Sequence, residues 1–247
     1  MTSTRIIFVL VETKYSGNLG MAARAIKNFG FKDLVLVNPL CKIDDEAIYR
    51  SMHARDVLLS ARMYSNLDEF VESESPLYLI GTTARIGSEK NPLRIAVPLN
   101  IFRNMIFPSE SKIAFLFGNE ERGLTNEELA KCDLVATIPT SMEYPTLNLS
   151  HAVAVVAYEL SQALKTFIEL PYRPANNKER EILLQRFFEL VDIADEKMPE
   201  PKKEIYKGII KNMIGRAFLS GREAHSLIGL IKKIISKLRS QYPDQSS

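Results

Sequence analysis

An α/β fold built on a parallel sheet, with a small all-helical appendage at its end, is predicted from three features of this 247-residue chain. Five short β-rich runs, at residues 5–11, 33–37, 77–81, 113–118 and 134–138, are apolar almost throughout rather than alternating, as in strands buried on both faces. Segments of helical period lie between most of them, and strands alternating with helices pair in parallel. Beyond residue 177 the strand pattern stops and only helical segments follow.

The chain is long enough for a core that needs no staples. Its two cysteines, Cys41 and Cys132, lie far apart without metal-type spacing, so a reducing compartment and no zinc site are expected, both thiols acting as small buried hydrophobes. The first apolar run is stopped by Glu12 and Lys14, too early for a signal peptide or a membrane span. A cytoplasmic protein with no membrane and no metal is expected. Net charge is only +2, but its placement is informative: residues 1–177 hold 18 Lys and Arg against 20 Asp and Glu, whereas residues 178–247 hold 14 against 10. A neutral front and a basic tail point to a ligand-binding or catalytic body with a separate surface for a polyanion; the alternative is a set of solvated helices.

Ligands of parallel sheets sit beyond the carboxyl ends of the strands. Four unusual clusters lie there, at residues 17–24, 82–94, 118–124 and 140–148. In the first, Asn18 is placed as a possible N-cap, and Leu19, Ala22, Ile26 and Phe29 share one helical face. Arg24 projects from the opposite side beside Gly20 and Lys27, where a solvated arginine is the simplest reading. The glycines lack the Gly-x-Gly-x-x-Gly spacing, and no Gly-Lys-Ser/Thr occurs, which sets aside NAD and nucleoside triphosphates. The second cluster opens with Thr82, Thr83 and Ala84 and carries Arg85, Lys90 and Arg94, basic groups suited to phosphate. The third follows the most apolar strand. There Gly118 permits close approach to the backbone, and Thr125 with Glu128 makes a capping box. Glu120 is either an ion-pair partner for an arginine such as Arg24 or an exposed loop residue.

In the fourth, Pro139 and Pro145 bracket small polar residues, so the chain leaves the strand state after Ile138 and crosses as a long, shaped loop. From Leu147 a helical pattern begins, with Asn148 or Ser150 as N-cap and Ala152, Val155, Val156 and Leu160 toward a core. Tyr144 and His151 are read as structural.

Taken together, Asn18-Leu19-Gly20 with Arg24-Ala25, Phe117-Gly118-Asn119-Glu120 with Arg122-Gly123-Leu124, and Thr146-Leu147-Asn148-Leu149-Ser150 resemble the three motifs of SPOUT-class RNA methyltransferases, in order and spacing, over residues 1 to about 165. Leu10-Val11-Glu12-Thr13, Val37-Asn38-Pro39, the run Gly-Leu-Thr-Asn-Glu-Glu-Leu from Gly123, Gly215-Arg216-Ala217 and Ser220-Gly221-Arg222-Glu223 resemble the TrmJ-like branch of tRNA ribose methyltransferases. Thr146 stands where relatives usually carry serine, and the hydroxyl survives.

The resemblance implies a deep C-terminal trefoil knot in the α/β domain, which topology rules alone argue against. It implies S-adenosyl-L-methionine held by Thr82, Thr83, Ala84, Gly118, Ile138, Pro145, Thr146 and Leu147, and a homodimer through the knot region in which the first helix of one subunit faces the other's cofactor. Arg24 is then the activating residue, with Asn18, Glu120, Thr146 and Asn148 around it, and the implied reaction is methylation of the ribose 2′-hydroxyl at position 32 of tRNA, on cytidine with uridine left open. An arginine does not release its proton in a protein, so Arg24 is expected to orient the hydroxyl and a phosphate and to stabilise oxyanion charge.

The expected domains are residues 1–167, a linker at 168–177 and a basic helical tRNA-binding domain at 178–247. Helices are predicted at residues 178–196, 202–219 and 221–240, with Ser220 and Glu223 as a capping box. The last turns Leu227, Ile231, Ile234, Ile235 and Leu238 inward and leaves Lys232, Lys233, Lys237 and Arg239 outside. RNA contacts are expected at Arg85, Lys90, Arg94, Arg122, Lys232 and Lys233. A non-catalytic RNA-binding protein of the same fold, or an enzyme acting on another RNA position, are the alternatives.

Overall fold

The computed structural model of the chain describes residues 4–84, 96–104, 111–165, 172–194 and 198–241. The chain divides into two compact units, Met1–Glu169 and Leu170–Ser247.

In the first unit the elements run β1 (Arg5–Val11), α1 (Ser16–Asn28), β2 (Asp33–Val37), α2 (Asp45–Ser51), α3 (Arg55–Leu59), β3 (Arg62–Tyr64), α4 (Leu67–Glu74), β4 (Tyr78–Thr82), β5 (Ala96–Pro98), β6 (Lys112–Phe117), α5 (Asn126–Lys131), β7 (Leu134–Thr137) and α6 (Leu149–Lys165). Seven strands form one sheet in the order β3-β2-β1-β6-β4-β7-β5, and every pairing is parallel. The five expected strands are present, two of them displaced by one residue at both ends and one shorter by one residue. Two were missed. β3 and β5 are three residues long and close the two edges, too short to register as apolar runs.

The continuous apolar character of β1 and β6 follows from their central position. Ile7, Val9 and Val11 pack with Leu67 and Phe70 of α4 and with Leu129 of α5 on one face. On the other, Phe8 stacks on Phe117 at 6.3 Å between ring centroids and meets Phe31 at 5.4 Å. Burying each such side chain stabilises the fold by about 2 kcal/mol. In α1, Leu19, Ala22 and Ile26 are buried as projected, Phe29 partly so, and Arg24 is exposed. Gly20 departs from the projection: it is buried against α2, where a side chain would meet the Ala47 carbonyl.

At the amino-terminal end of the sheet two buried carboxylates, Asp33 of β2 and Glu74 of α4, gather cations from three strands, β1, β3 and β6. Asp33 accepts hydrogen bonds from Arg5 and, at 3.3 Å, from Arg62; Glu74 pairs with Arg62 at 2.7 Å and Lys112 at 3.1 Å and accepts from the Tyr64 hydroxyl. Burial alone would raise both carboxyl pKa values, but hydrogen bonds and charge from Arg5 and Arg62 on Asp33, and from Lys112 and Arg62 on Glu74, hold both below the ordinary carboxylate range. Folded pKa values below the unfolded ones mean this stability is full above the unfolded carboxylate pKa and is lost as pH falls through the folded values. Glu74→Gln is expected to cost about 2 kcal/mol at neutral pH, since it leaves Arg62 and Lys112 under-compensated, and to flatten the acid limb of the stability profile. Urea melts across the acid range read both; an unchanged acid limb would assign that limb to other groups.

The second unit comprises α7 (Asn177–Ala194), α8 (Glu200–Ala217) and α9 (Gly221–Gln241). Leu183, Ile214, Ala224, Ile231 and Ile235 form its core. The Ser220–Glu223 capping box is present. Residues 173–175, within the stretch expected to be linker, are bonded into this unit: Gly221 donates to the Arg173 carbonyl and Ala175 to that of Leu219. Arg173 grips Glu179 with both guanidinium arms, and that bond, with His225 nearby, lowers the Glu179 pKa to about 2. Two expectations for α9 are corrected. Ile234 is 39% exposed rather than interior, and Arg239 pairs with Glu189 at 2.8 Å rather than standing free. Lys232, Lys233 and Lys237 are exposed and form no ion pair among the described residues.

Candidate active site

The residues of interest collect where the carboxyl ends of β1, β4, β6 and β7 meet the starts of α1 and α6. β6 ends at Phe117, and the chain turns back on itself at once: the Gly123 amide donates to the Asn119 carbonyl at 2.8 Å, closing an antiparallel bridge. Gly123 has φ +71, and a Cβ on Gly118 would lie 2.2 Å from the Gly123 carbonyl carbon and the Leu124 nitrogen. The close approach anticipated at Gly118 is therefore made by this loop.

Glu12 anchors the loop to β1. It has φ +52, a left-handed conformation that costs a side-chain residue about 1 kcal/mol. Its carbonyl accepts from Asn119 Nδ2 at 2.8 Å, and its carboxylate accepts from Arg122 at 2.6 Å and Asn38 at 3.2 Å. Arg122 also donates to Glu128. Hydrogen bonds to Glu128 and Glu12 raise the Arg122 pKa, and the Arg122 bond lowers that of Glu12. Arg122, expected at RNA, is thus held between two carboxylates in the loop wall. Glu12→Gly and Glu12→Ala lose the same ion pair, so Glu12→Gly is expected to be the more stable by about 1 kcal/mol. Chemical denaturation of the two variants checks this, and Ala equal to Gly would show that the backbone there stores no strain.

Glu120 fits neither alternative open to it. Its carboxylate accepts from the Lys14 amide at 2.9 Å, from the Tyr15 amide at 3.4 Å and from Asn18 Nδ2 at 2.7 Å, and it does not meet Arg24. Asn18 is correspondingly not an N-cap: α1 starts at Ser16 with Tyr15 in the capping position, so Asn18 lies in the first turn and reaches across to the β6 loop. A carboxylate only accepts, which fixes the Asn18 amide and turns its Oδ1 toward Asn148 Nδ2 at 3.1 Å. The Asn148 Oδ1 then accepts from the Ser150 amide at 2.9 Å and from its hydroxyl at 2.7 Å, capping α6. One directed chain of hydrogen bonds, Ser150–Asn148–Asn18–Glu120, joins all three sequence motifs.

Beside it opens a cleft of about 900 Å³, mouth included, within the usual size of small-molecule sites. Thr82, Thr83, Ala84, Gly118, Ile138, Pro145, Thr146 and Leu147, the eight residues expected around a cofactor, all line it, as do Glu120 and Arg122. The sequence reading missed Phe117, Glu121, Leu124 and Leu149 there. The Thr82 hydroxyl is committed to the Leu116 carbonyl at 2.7 Å. The loop after β7 is braced by the Thr140 hydroxyl on the Pro145 carbonyl.

The five residues expected to be catalytic are divided. Glu120 and Thr146 line this cleft, whereas Asn18 and Asn148 line a second, more open one with Lys14, Tyr15, Cys41 and Asp44. Cys41, expected to be a buried hydrophobe, is half-buried there, with its thiol pKa raised by burial and by Glu120; Cys132 is buried in the core. Arg24 lines neither cleft. It leaves α1 about 9 Å along and about 240° round from Asn18, is exposed, and its side chain forms no hydrogen bond or ion pair among the described residues. Tyr144 is 79% exposed and His151 also exposed, so neither serves the core. Arg85, Lys90 and Arg94 lie outside the described residues, and Lys232 and Lys233 belong to the second unit. Among the described residues no group of His, Cys, Asp or Glu is placed to hold a metal ion, and no helix is long and apolar enough to cross a membrane.

Residues 5–158 match the SpoU rRNA Methylase family. The chain is 39% identical over 229 residues to the tRNA (cytidine-2′-O-)-methyltransferase TrmJ of Methanocaldococcus jannaschii, covering 92% of this chain and 98% of that protein. To the tRNA (cytidine/uridine-2′-O-)-methyltransferase TrmJ of Escherichia coli it is 34% identical over 249 residues, covering 96% of each. Among solved structures, TrmJ from Z. mobilis matches with a TM-score of 0.66 at 27% identity, over 92% of this chain and 98% of that one. With the three motifs on one hydrogen-bonded chain beside one cleft, and relatives matching over nearly its whole length, the chain belongs to the SpoU rRNA Methylase family, in its TrmJ branch.

Proposed function

We propose that the protein transfers a methyl group from S-adenosyl-L-methionine to the ribose 2′-hydroxyl of the nucleotide at position 32 in the anticodon loop of tRNA, cytidine or uridine. The observation that carries this reading is the Glu120–Asn18–Asn148 chain along the edge of a cleft whose walls suit that cofactor. Leu124, Ile138, Leu147 and Leu149 offer apolar surface for a purine, Thr146 offers a hydroxyl, and Glu120 and Glu121 place negative charge where a cation would be favoured. When bound, the cofactor supplies an electrophilic methyl on a sulfonium. The protein's share is positioning, which accounts for much of the rate in transfers of this kind. Asn18 and Asn148, fixed by Glu120 and Ser150, hold the edge at which the hydroxyl is received.

Arg24 completes the site from a second subunit. Its place on α1, turned away from Asn18, supports a homodimer through the region of residues 138–148, and the family resemblance adds a trefoil knot there. Its guanidinium keeps its protons, so Arg24 orients the hydroxyl and a neighbouring RNA phosphate and stabilises developing charge on oxygen. The hydroxyl proton passes to phosphate or water. The exposed Lys232, Lys233 and Lys237 of α9 hold the body of the tRNA.

Mass-spectrometric mapping of tRNA incubated with the protein and isotope-labelled cofactor tests the reading. A ribose-methylated pyrimidine at position 32 is expected. Methylation confined to a base or to another position would refute it, and absence of calorimetric cofactor binding would leave a non-catalytic RNA-binding protein.

A further inference from the structure

The second cleft is tied to the first through an exposed aromatic residue: Tyr15 lines the second and bonds to Glu120 and Glu121, which line the first. Tyr15 is 51% exposed, yet it is fixed at several points. Its hydroxyl donates to Glu121 at 3.2 Å, its amide to Glu120 at 3.4 Å, and its carbonyl accepts from the Asn18 amide at 3.0 Å. Lys14 Nζ lies 5.6 Å from the ring centroid and pairs with Glu121 at 2.5 Å. An exposed aromatic side chain usually gives up rotamer freedom when it binds something. Here the hydroxyl bond to Glu121 holds the ring before anything arrives, and the ring stays half exposed.

We propose that Tyr15 is the platform on which the base of the target nucleotide stacks, the second cleft receiving that base; this rests on the ribose methylation proposed above. The argument is covalent and geometric. The ribose carbon bearing the 2′-hydroxyl is bonded directly to the carbon bearing the base, so wherever that hydroxyl is held the base lies next to it. If the hydroxyl is received at the Glu120–Asn18–Asn148 edge, the base falls to one side or the other. The first cleft is the one lined by the cofactor residues, which leaves the second, where Tyr15, Asn18 and Asn148 share the lining. Every nucleobase has a stacking face, so such a platform does not discriminate cytosine from uracil. Tyr15 therefore acts on affinity for either pyrimidine, and any preference between them arises from other groups of the second cleft.

The chain contains no tryptophan, so full-length Tyr15→Trp carries a single indole reporter at this point. Titration with an unmodified anticodon stem-loop RNA is expected to quench its emission. In methyl-transfer assays Tyr15→Ala is expected to lower kcat/KM for tRNA about 10- to 100-fold, equally on cytidine and uridine substrates, with calorimetric cofactor affinity within about 2-fold of wild type and most activity regained in Tyr15→Phe and Tyr15→Trp. Absence of quenching by RNA that polarisation shows to be bound would overturn the proposal. So would Tyr15→Phe and Tyr15→Trp falling as far as Tyr15→Ala, because the hydroxyl bond to Glu121 and not the ring would then be what matters. If the wild-type protein leaves tRNA ribose unmethylated, it is the functional reading that fails, and the quenching experiment still reports separately on whether a base stacks at this position.

Discussion

Arg24→Ala is expected to lower methyl transfer to tRNA about 100- to 1,000-fold, the cost of removing one donor to a developing oxyanion, while leaving cofactor affinity nearly unchanged. The affinity half follows from the proposed role, because Arg24 is to meet the hydroxyl and phosphate of the RNA rather than the cofactor, and its side chain holds no described residue of its own subunit in position. Arg24→Lys keeps the charge and loses the planar fork, so most of the defect should remain; near-normal turnover would show that the fork is unnecessary. The sharper test is complementation. Glu120→Ala damages the cleft of its own subunit by breaking the contact with Asn18, whereas Arg24→Ala leaves its own cleft whole. If Arg24 serves the cleft of the other subunit, each mixed dimer has one complete site, and equal mixing after subunit exchange restores about a quarter of wild-type activity from two nearly inactive proteins. If Arg24 serves its own cleft, no mixed dimer contains a complete site and nothing is restored. That second result would remove the dimeric arrangement from the proposal.

Much of this architecture was legible in the sequence because its physics is local. β1, β2 and β6 are apolar on both faces, which no exposed strand tolerates, and the capping boxes at Thr125–Glu128 and Ser220–Glu223 bind within four residues of chain. What escaped was set by distant partners. β3 and β5 exist because a longer neighbour offers free backbone groups, and three residues carry too little pattern to announce that. Asn18 has the composition of a cap, but its amide is taken by Glu120, 102 positions later, and local rules cannot weigh that competition. Glu12 was read as the residue that stops the first apolar run and as part of a stretch resembling the TrmJ-like branch, with no role in the site. A carboxylate at the carboxyl end of a central strand was the signal that could have marked it as part of the site. Arg122 looked available to RNA for the complementary reason: its two carboxylate partners come from β1's end and from α5.

Gly118→Ala is expected to destabilise the first unit by about 3 kcal/mol and to abolish measurable cofactor binding. The added methyl would lie 2.2 Å from the Gly123 carbonyl carbon and the Leu124 nitrogen and 2.5 Å from the Gly123 oxygen. All three are backbone atoms, and no side-chain rotation relieves the clash, so the loop of residues 119–124 must lift. Lifting it opens the Asn119–Gly123 bridge, pulls Asn119 from the Glu12 carbonyl, separates Arg122 from Glu12 and exposes Leu124, which is 4% accessible. Each of these residues except Glu12 lines the proposed cofactor cleft, so fold and ligand affinity fall together. Gly123→Ala supplies the contrast. Its φ is +71, but nothing lies within 4 Å of the added methyl, so the cost is dihedral strain of about 1 kcal/mol and the cleft keeps its shape. Urea melts with cofactor calorimetry on the two variants separate space from dihedral angle. Cofactor binding at wild-type strength by Gly118→Ala would mean that the loop can move away from β6 without loss of the site, and Glu120 would then no longer be held where the proposed chemistry requires it.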